Sequence, residues 1–421
     1  MLDYVALSVF VFTYFLIVAR KFFRLNLEPW MSMLIGAILM VLLRVMTIDQ
    51  AASSINLQVV IFLFGMFCVV GALDSSGALQ FAALSLLRMA KTPERLLLAV
   101  IILVTVLSAF LVNDAIVLVM APVVINACRT VKIRPTPFLF GVAFSSNIGS
   151  ALTPIGNPQN LLIKVVSGIG TGWFMLNMFV PVVLSTIVQY YLLEALFRKQ
   201  LHALEEFDKS SFVPQSAVRD AVLFKRSMII SSFVVGGFLL SDLLRVELAT
   251  VAVLGGGMIL FLHNRRIEIV HRIDWTVIVF FSGMFVVMEG FSKSGILDLL
   301  APSLVLQIFS VNSLTSILWI HLASAVLSQL VSNVPLVALF IPIFAEANAQ
   351  PYHWLALASG STLGGNGTLL GAAANIIVLE SAEERGETFS FAEFARAGTI
   401  LTAATVLISG LLLSLTTSML A

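Results

Sequence analysis

Charge is what this 421-residue chain has least of: Asp, Glu, Lys and Arg make up 11% of it, against about 25% in a soluble globular domain. Hydrophobic residues reach 59% and mean hydropathy is +1.03, which excludes a soluble class and leaves an all-α polytopic membrane protein. The net charge of +1 is built from scattered basic residues, so nucleic acid is excluded as a partner. Cysteine is scarce too. Cys68 and Cys128 lie far apart in apolar surroundings, which supports neither a disulfide framework nor a thiolate metal cage. No GxxxxGK[ST] loop, HExxH zinc site or GxSxG elbow occurs, so nothing points to a membrane-embedded enzyme. No basic leader or small-residue cleavage site accompanies the first apolar run, Tyr4 to Ala19, and the run reads as a retained span.

A membrane crossing needs about 20 apolar residues. On that template plain spans fall near 2–19, 30–46, 56–74, 173–197, 226–243, 247–263, 273–293 and 397–420. Two further segments, 138–167 and 352–384, are long enough to cross but are interrupted by polar, Gly-rich or Pro-rich stretches, and read as broken spans, for about ten crossings in all. Segments 95–128 and 313–346 are each divided by a polar pair, Asn113–Asp114 and Ser332–Asn333. Each half is short for a span, so both read as re-entrant hairpins. With that topology twenty Lys and Arg residues collect on one side, while Arg44, Lys164, Arg245 and Lys293 stay on the other. The positive-inside rule then places both termini outside, in a bacterial inner membrane.

The mixed-charge stretch 198–225 divides the chain and reads as a cytoplasmic linker between a first repeat, 1–197, and a second, 226–421. GMF at 65–67 recurs at 283–285, and SGAL at 76–79 recurs as SGIL at 294–297. SAFLVNDAIVLVMAPVV from Ser108 matches SQLVSNVPLVALFIPIF from Ser328, aligning Asn113 with Asn333. SNIGSALTPIGNPQNLLI from Ser146 matches STLGGNGTLLGAAANIIV from Ser361, aligning Asn160 with Asn375. Five crossings and one hairpin per copy turn the second copy upside down. Inverted repeats of this kind build secondary transporters, with the solute site at the midplane among discontinuous helices. Non-helical backbone at membrane depth is tolerated only where it lines a cavity or is buried in protein.

The hairpin motifs VND and VSN, with NIGSALTPIGNPQN and LGGNGTLLGAAAN, resemble the ion transporter superfamily, most closely its arsenite-permease and citrate-transporter-like branch. The resemblance covers nearly the whole chain. It implies a small solute held between the hairpin tips and the helix breaks, an elevator-like motion in the lipid bilayer, frequent homodimers, and in some arsenite permeases a cytoplasmic ATPase subunit. Carried over by position, the solute- or ion-binding residues are Asn113, Asp114, Asn147, Thr153, Asn157, Asn160, Ser332, Asn333, Asn366, Thr368 and Asn375. The carboxylate symporters' Ser-Asn-Thr tip is absent, replaced by Val112-Asn113-Asp114 and Ser332-Asn333-Val334.

Asp114 is the most informative position, because an intramembrane carboxylate marks a functional site by default. It can carry a proton, ligate sodium, or cap the helix that follows it. Glu289 is a second candidate for proton coupling, with snorkelling to the outer interface as the alternative, and Lys164 could balance Asp114 or attract an anion. No cofactor is implied beyond a bound H+ or Na+. The function expected is proton-coupled efflux of an arsenite- or antimonite-like metalloid, the alternative being sodium- or proton-coupled transport of a carboxylate or inorganic oxyanion.

Overall fold

The structure is a computed structural model and describes residues 3–23, 27–202, 212–263, 266–295 and 313–420. Among them every regular element is helical. In chain order these are α1 (Tyr4–Phe23), α2 (Pro29–Leu42), α3 (Ile48–Ser54), α4 (Leu57–Ser76), α5 (Ala78–Leu87), α6 (Pro93–Phe110), α7 (Asn113–Thr130), α8 (Thr136–Ser150), α9 (Pro158–Ser167), α10 (Thr171–Leu196) and α11 (Arg198–Leu201). The second half supplies α12 (Ala221–Leu239), α13 (Ser241–Leu244), α14 (Leu248–Leu262), α15 (Arg266–His271) and α16 (Trp275–Lys293). It continues with α17 (Ser313–Val331), α18 (Asn333–Glu346), α19 (Pro351–Gly364), α20 (Ala373–Glu383) and α21 (Phe391–Leu420). Among the described residues seven helices are long and apolar enough to cross a membrane, and α1, α2, α14, α17 and α18 contain shorter apolar stretches. Large apolar side chains such as Leu176, Phe233 and Phe261 are exposed on the outside of the bundle, where lipid is the solvent.

The helices start where capping chemistry allows. Thr92 accepts from the Arg95 N–H ahead of Pro93 at the start of α6, and Asn56, Asp220 and Asp274 do the same for α4, α12 and α16. The Asp220 cap starts α12 at Ala221 rather than near 226, because its carboxylate satisfies the Val222 and Leu223 N–H groups. The α6 and α7 arms are 18 residues each and long enough by length and composition to span. They exceed the short halves expected from 95–128, since helix runs back to Pro93 and on to Thr130. The ten residues of α5 form a helix that is too short to register as a span. The SGIL match at Ile296 and Leu297 and the central part of the linker, 203–211, lie outside the described residues.

The two halves pack reciprocally. Helix α4 lies on α14 and α16 lies on α2, so each half's GMF helix is seated in the other half. A Cβ on Gly65 would lie 2.4 Å from the Ala252 carbonyl group, and one on Gly283 would lie 3.0 Å from the Met33 carbonyl. The first contact requires glycine, and the second leaves a side chain little room. The hairpin arm α6 packs on α8 as α17 packs on α19, which carries each hairpin tip to a helix break.

Candidate functional site

Between α8 and α9 the chain leaves the helix at Ala151 and resumes at Pro158. Freed backbone groups at that depth need partners, and asparagines supply them. Asn157 caps α9, its Oδ1 accepting from the Asn160 N–H at 2.8 Å, while its Nδ2 donates to Ser150 Oγ at 2.9 Å. Asn160 Nδ2 donates to the carbonyls of Ser150 at 3.1 Å and Thr153 at 3.2 Å. Thr153 Oγ1 donates to the Ala109 carbonyl near the first hairpin tip, and the Asn113 N–H donates to the Gly156 carbonyl at 3.0 Å. The tip of α6–α7 is thereby fastened to the break.

The second break, between α19 and α20, repeats this pattern with altered chemistry. Asn375 Nδ2 donates to the carbonyls of Gly365 at 2.8 Å and Thr368 at 2.9 Å. Thr368 Oγ1 donates to Gln329 Oε1 at 3.1 Å, so a side chain takes the part the Ala109 carbonyl plays in the first half. Asn333, with its amide oriented to suit its neighbours, donates to the carbonyls of Gly371 at 2.9 Å and Ser361 at 3.0 Å. Two differences remain. Helix α20 has Ala372 at its N-cap, with no side-chain cap, and Ala373 behind it is exposed. The second tip holds Ser332 at φ +73° and ψ 164°, a region essentially reserved for glycine.

The halves are joined by amides. Asn147 Nδ2 donates to Asn366 Oδ1 at 2.9 Å and to Asn375 Oδ1 at 3.1 Å. In the reciprocal direction Thr362 Oγ1 donates to Asn160 Oδ1 at 3.4 Å. Asn113 Nδ2 reaches Asn147 Oδ1 at 3.5 Å. Among the described residues two buried atoms of this cluster have no partner, the acceptor Asn113 Oδ1 and the donor Asn366 Nδ2.

The sequence-predicted residues therefore divide. Asn157, Asn160, Asn333 and Asn375 satisfy the broken backbone, Thr153 and Thr368 fasten the breaks to the hairpins through the Ala109 carbonyl and the Gln329 side chain, and Asn113, Asn147 and Asn366 form the centre where unused hydrogen-bonding capacity remains. Asp114 lies half-buried in the first turn of α7, whose N-cap is Val112 without a side-chain bond. Asp114 stands inside the helix rather than at its cap. Glu289 forms an i,i+4 ion pair with Lys293 at 3.5 Å, with 43% of its side chain exposed, apart from the buried amides. Lys164 donates to the Ile169 carbonyl at 2.8 Å and faces Asp242 at 3.5 Å, so it balances Asp242 rather than Asp114. Beside this pair a cavity of about 510 Å³ is walled by Gln58, Leu161, Trp173, Arg245 and Glu247 among others. Three network members, Ser150, Thr362 and Gln329, escaped the sequence reading. Thr362 aligns with Asn147 and Gln329 with Ala109, so comparing unlike residues at equivalent positions could have found both.

The profile of the CitMHS citrate transporter family matches residues 14–360. The chain belongs to that family. An uncharacterized transporter of Mycobacterium tuberculosis is 31% identical over 97% of both chains. The silicon efflux transporter LSI3 of Oryza sativa subsp. japonica is 28% identical over 83% of this chain and 84% of its own. The human P protein is 26% identical over 84% of this chain and 52% of its own. Among solved structures the Alcanivorax borkumensis YdaH transporter superposes with a TM-score of 0.66 at 15% identity, covering 99% of this chain and 98% of that one. The Neisseria gonorrhoeae MtrF structure follows at 0.61 and 14%, covering 97% and 94%. At such identities the likeness is one of fold. This CitMHS member is a multi-pass membrane transporter, and its relatives are transporters rather than enzymes.

Proposed function

We propose that this CitMHS-family chain is a secondary active transporter that exports a small neutral hydroxylated solute of the arsenite or antimonite type in exchange for protons. The observation that carries the reading is the unpaired couple Asn113 Oδ1 and Asn366 Nδ2. One accepts and one donates, which suits a hydroxyl group that does both. No Lys or Arg forms an ion pair with Asp114 among the described residues. A multiply charged anion beside Asp114 would meet repulsion, whereas As(OH)3 would not. The rice relative is named a silicon efflux transporter, which is in keeping with export of a small inorganic solute. Asp114 is the proton carrier, sodium being the other coupling ion open to it. Glu289 is secondary because Lys293 already pairs with it. The protein works in the bacterial inner membrane with both termini outside, an orientation supported by the Lys and Arg asymmetry. A homodimer and a cytoplasmic ATPase docked on the 198–225 linker complete the proposal.

A second reading, uptake of a carboxylate or oxyanion, is favoured by the family's description and by the uncapped N-terminus of α20, whose free N–H groups suit an anionic oxygen. Flux of arsenite and of citrate in proteoliposomes under an imposed pH gradient separates the two. Proton-driven arsenite movement that stops with a protonophore and in Asp114→Asn supports export of the neutral hydroxide. Citrate flux without arsenite flux replaces it with the carboxylate reading, and full transport in Asp114→Asn removes Asp114 as carrier.

A further inference from the structure

Building on the proton coupling proposed above, we propose that His321 is the central station of a hydrated proton path that exists only in the second repeat and runs from His353 to the second helix break. His321 lies mid-way along α17, is fully buried, and neither ring nitrogen has a hydrogen-bond partner. Buried polar side chains are nearly always satisfied by protein or by ordered water. With no protein partner in reach, water is the group that completes the imidazole, and a polar site of this kind is where buried water resides.

The first repeat shows that packing does not require a histidine there. The residue equivalent to His321 is Ile101, and Ser316, Ser324 and His353 correspond to Leu96, Val104 and Phe138. All four apolar counterparts are buried. The same helix contacts are thus filled by hydrocarbon in one copy and by hydroxyl and imidazole groups in the other. A small residue, Gly410, faces the ring, and another, Gly360, meets the His321 backbone. A Cβ on Gly410 would lie 3.7 Å from His321 Cγ, and one on Gly360 would lie 2.6 Å from the His321 carbonyl oxygen and 3.1 Å from the Ser324 Cβ.

Polar groups continue on both sides. In the first turn of α19, His353 Nδ1 accepts from the Gln350 N–H at 3.2 Å, which leaves Nε2 protonated to donate to Ser316 Oγ at 3.1 Å. Toward the hairpin tip, Ser324 and Ser328 follow His321 on one helix face at i+3 and i+7. Ser328 Oγ accepts from Gln329 Nε2 at 3.1 Å, and Gln329 Oε1 accepts from Thr368 in the second break. A proton arriving from water at one imidazole nitrogen releases the proton held on the other, and a tautomer change resets the ring with no net charge left behind. The titratable groups on the helices packed against α17 are Asp3, Tyr4, Tyr14, Arg20 and Lys21 at α1, Glu346 on α18, Tyr352 and His353 on α19, and Glu393 and Arg396 on α21. Among the described residues none of them hydrogen-bonds to His321.

The test uses the full chain in proteoliposomes, with 15N-histidine spectra assigned by difference from His321→Ile, the residue of the first repeat. A hydrated station predicts that the His321 ring N–H exchanges with D2O between about pH 5 and 9 and populates both tautomers. It also predicts that His321→Ile unfolds at an unchanged temperature, keeps arsenite exchange at equal pH, and loses about tenfold of proton-driven net arsenite flux, with His353→Phe acting in the same direction. A ring locked in one tautomer and protected from D2O overturns the proposal, as does unaltered net flux in His321→Ile. If arsenite moves no protons even in the wild type, the cargo assignment fails, and the D2O exchange at His321 still decides the path.

Discussion

Asn160 and Asn375, in opposite halves of the chain, make the same two hydrogen bonds, each donating to a pair of carbonyls in its own helix break. Each also accepts on Oδ1 from the other half, Asn160 from Thr362 and Asn375 from Asn147. One asparagine thus does two jobs: it supplies the donor that freed carbonyls need, and it ties the two breaks together. Single Asn160→Ala and Asn375→Ala variants leave buried carbonyls unpaired, at about 1–3 kcal/mol for each group. Both should lower the thermal unfolding temperature in detergent by similar amounts. The double variant should depart from additivity, since the sites share one network. Wild-type stability in either single variant would show that the break is held by something else.

The repeat was legible because both copies keep the same short strings where glycine or asparagine has no substitute. The GMF glycines mark two close helix contacts with Ala252 and Met33, and Asn160 and Asn375 mark the two breaks. What could not be read were partners supplied by unlike residues. Gln329 replaces a backbone carbonyl, and Thr362 stands opposite Asn147, so neither carries a repeated letter. The partner of Lys164 was not legible because nothing local signals that α13, some eighty residues on, delivers Asp242. Helix α5 was missed because a helix of ten residues does not register on a template of about 20.

Asn113 and Asn333 are equivalent in sequence but not in use. Asn113 keeps a buried acceptor with no partner, while the Asn333 amide is spent on the Gly371 and Ser361 carbonyls. Asn113→Ala should therefore weaken solute binding by roughly tenfold, about 1.4 kcal/mol, with little loss of stability. Asn333→Ala should chiefly destabilise the fold. Equilibrium binding of the transported solute and thermal unfolding, measured on the same samples, separate the two effects. If Asn113→Ala binds like the wild type, the unpaired acceptor is not part of the solute site.

Ser332 stores strain at the second tip that Val112, at φ −61°, does not store at the first. Non-glycine residues in that region cost about 1–3 kcal/mol and persist where the surroundings over-determine them. Ser332→Gly removes the cost in the folded state, although the freer unfolded chain offsets part of the gain. The variant should unfold at a higher temperature than wild type and transport more slowly if the strain keeps the tip poised against the break. Unfolding at a lower temperature would mean that the serine hydroxyl contributes more than its backbone costs.

The last expectation concerns the pair Lys164 and Asp242. Asp242 accepts from the Gly172 N–H at 2.9 Å while facing Lys164 at 3.5 Å, and Ser241 Oγ meets Thr171 Oγ1 at 3.2 Å. This corner of α13 therefore fastens the α9–α10 connection, just beyond the site-bearing break, to the helices that follow the linker. The ion pair is partly exposed, with side-chain exposures of 17% and 39%, so its direct contribution to stability is under about 1 kcal/mol. A kinetic contribution is separate. If α9 shifts during transport, the pair must open in each cycle, and releasing it alters rate more than stability. Lys164→Ala, Asp242→Ala and the double variant should then change solute flux to the same extent, with unfolding temperatures close to wild type and a wild-type rate that depends on ionic strength. Independent, additive effects of the two substitutions on flux would show that the residues act separately and that the corner does not open as a unit.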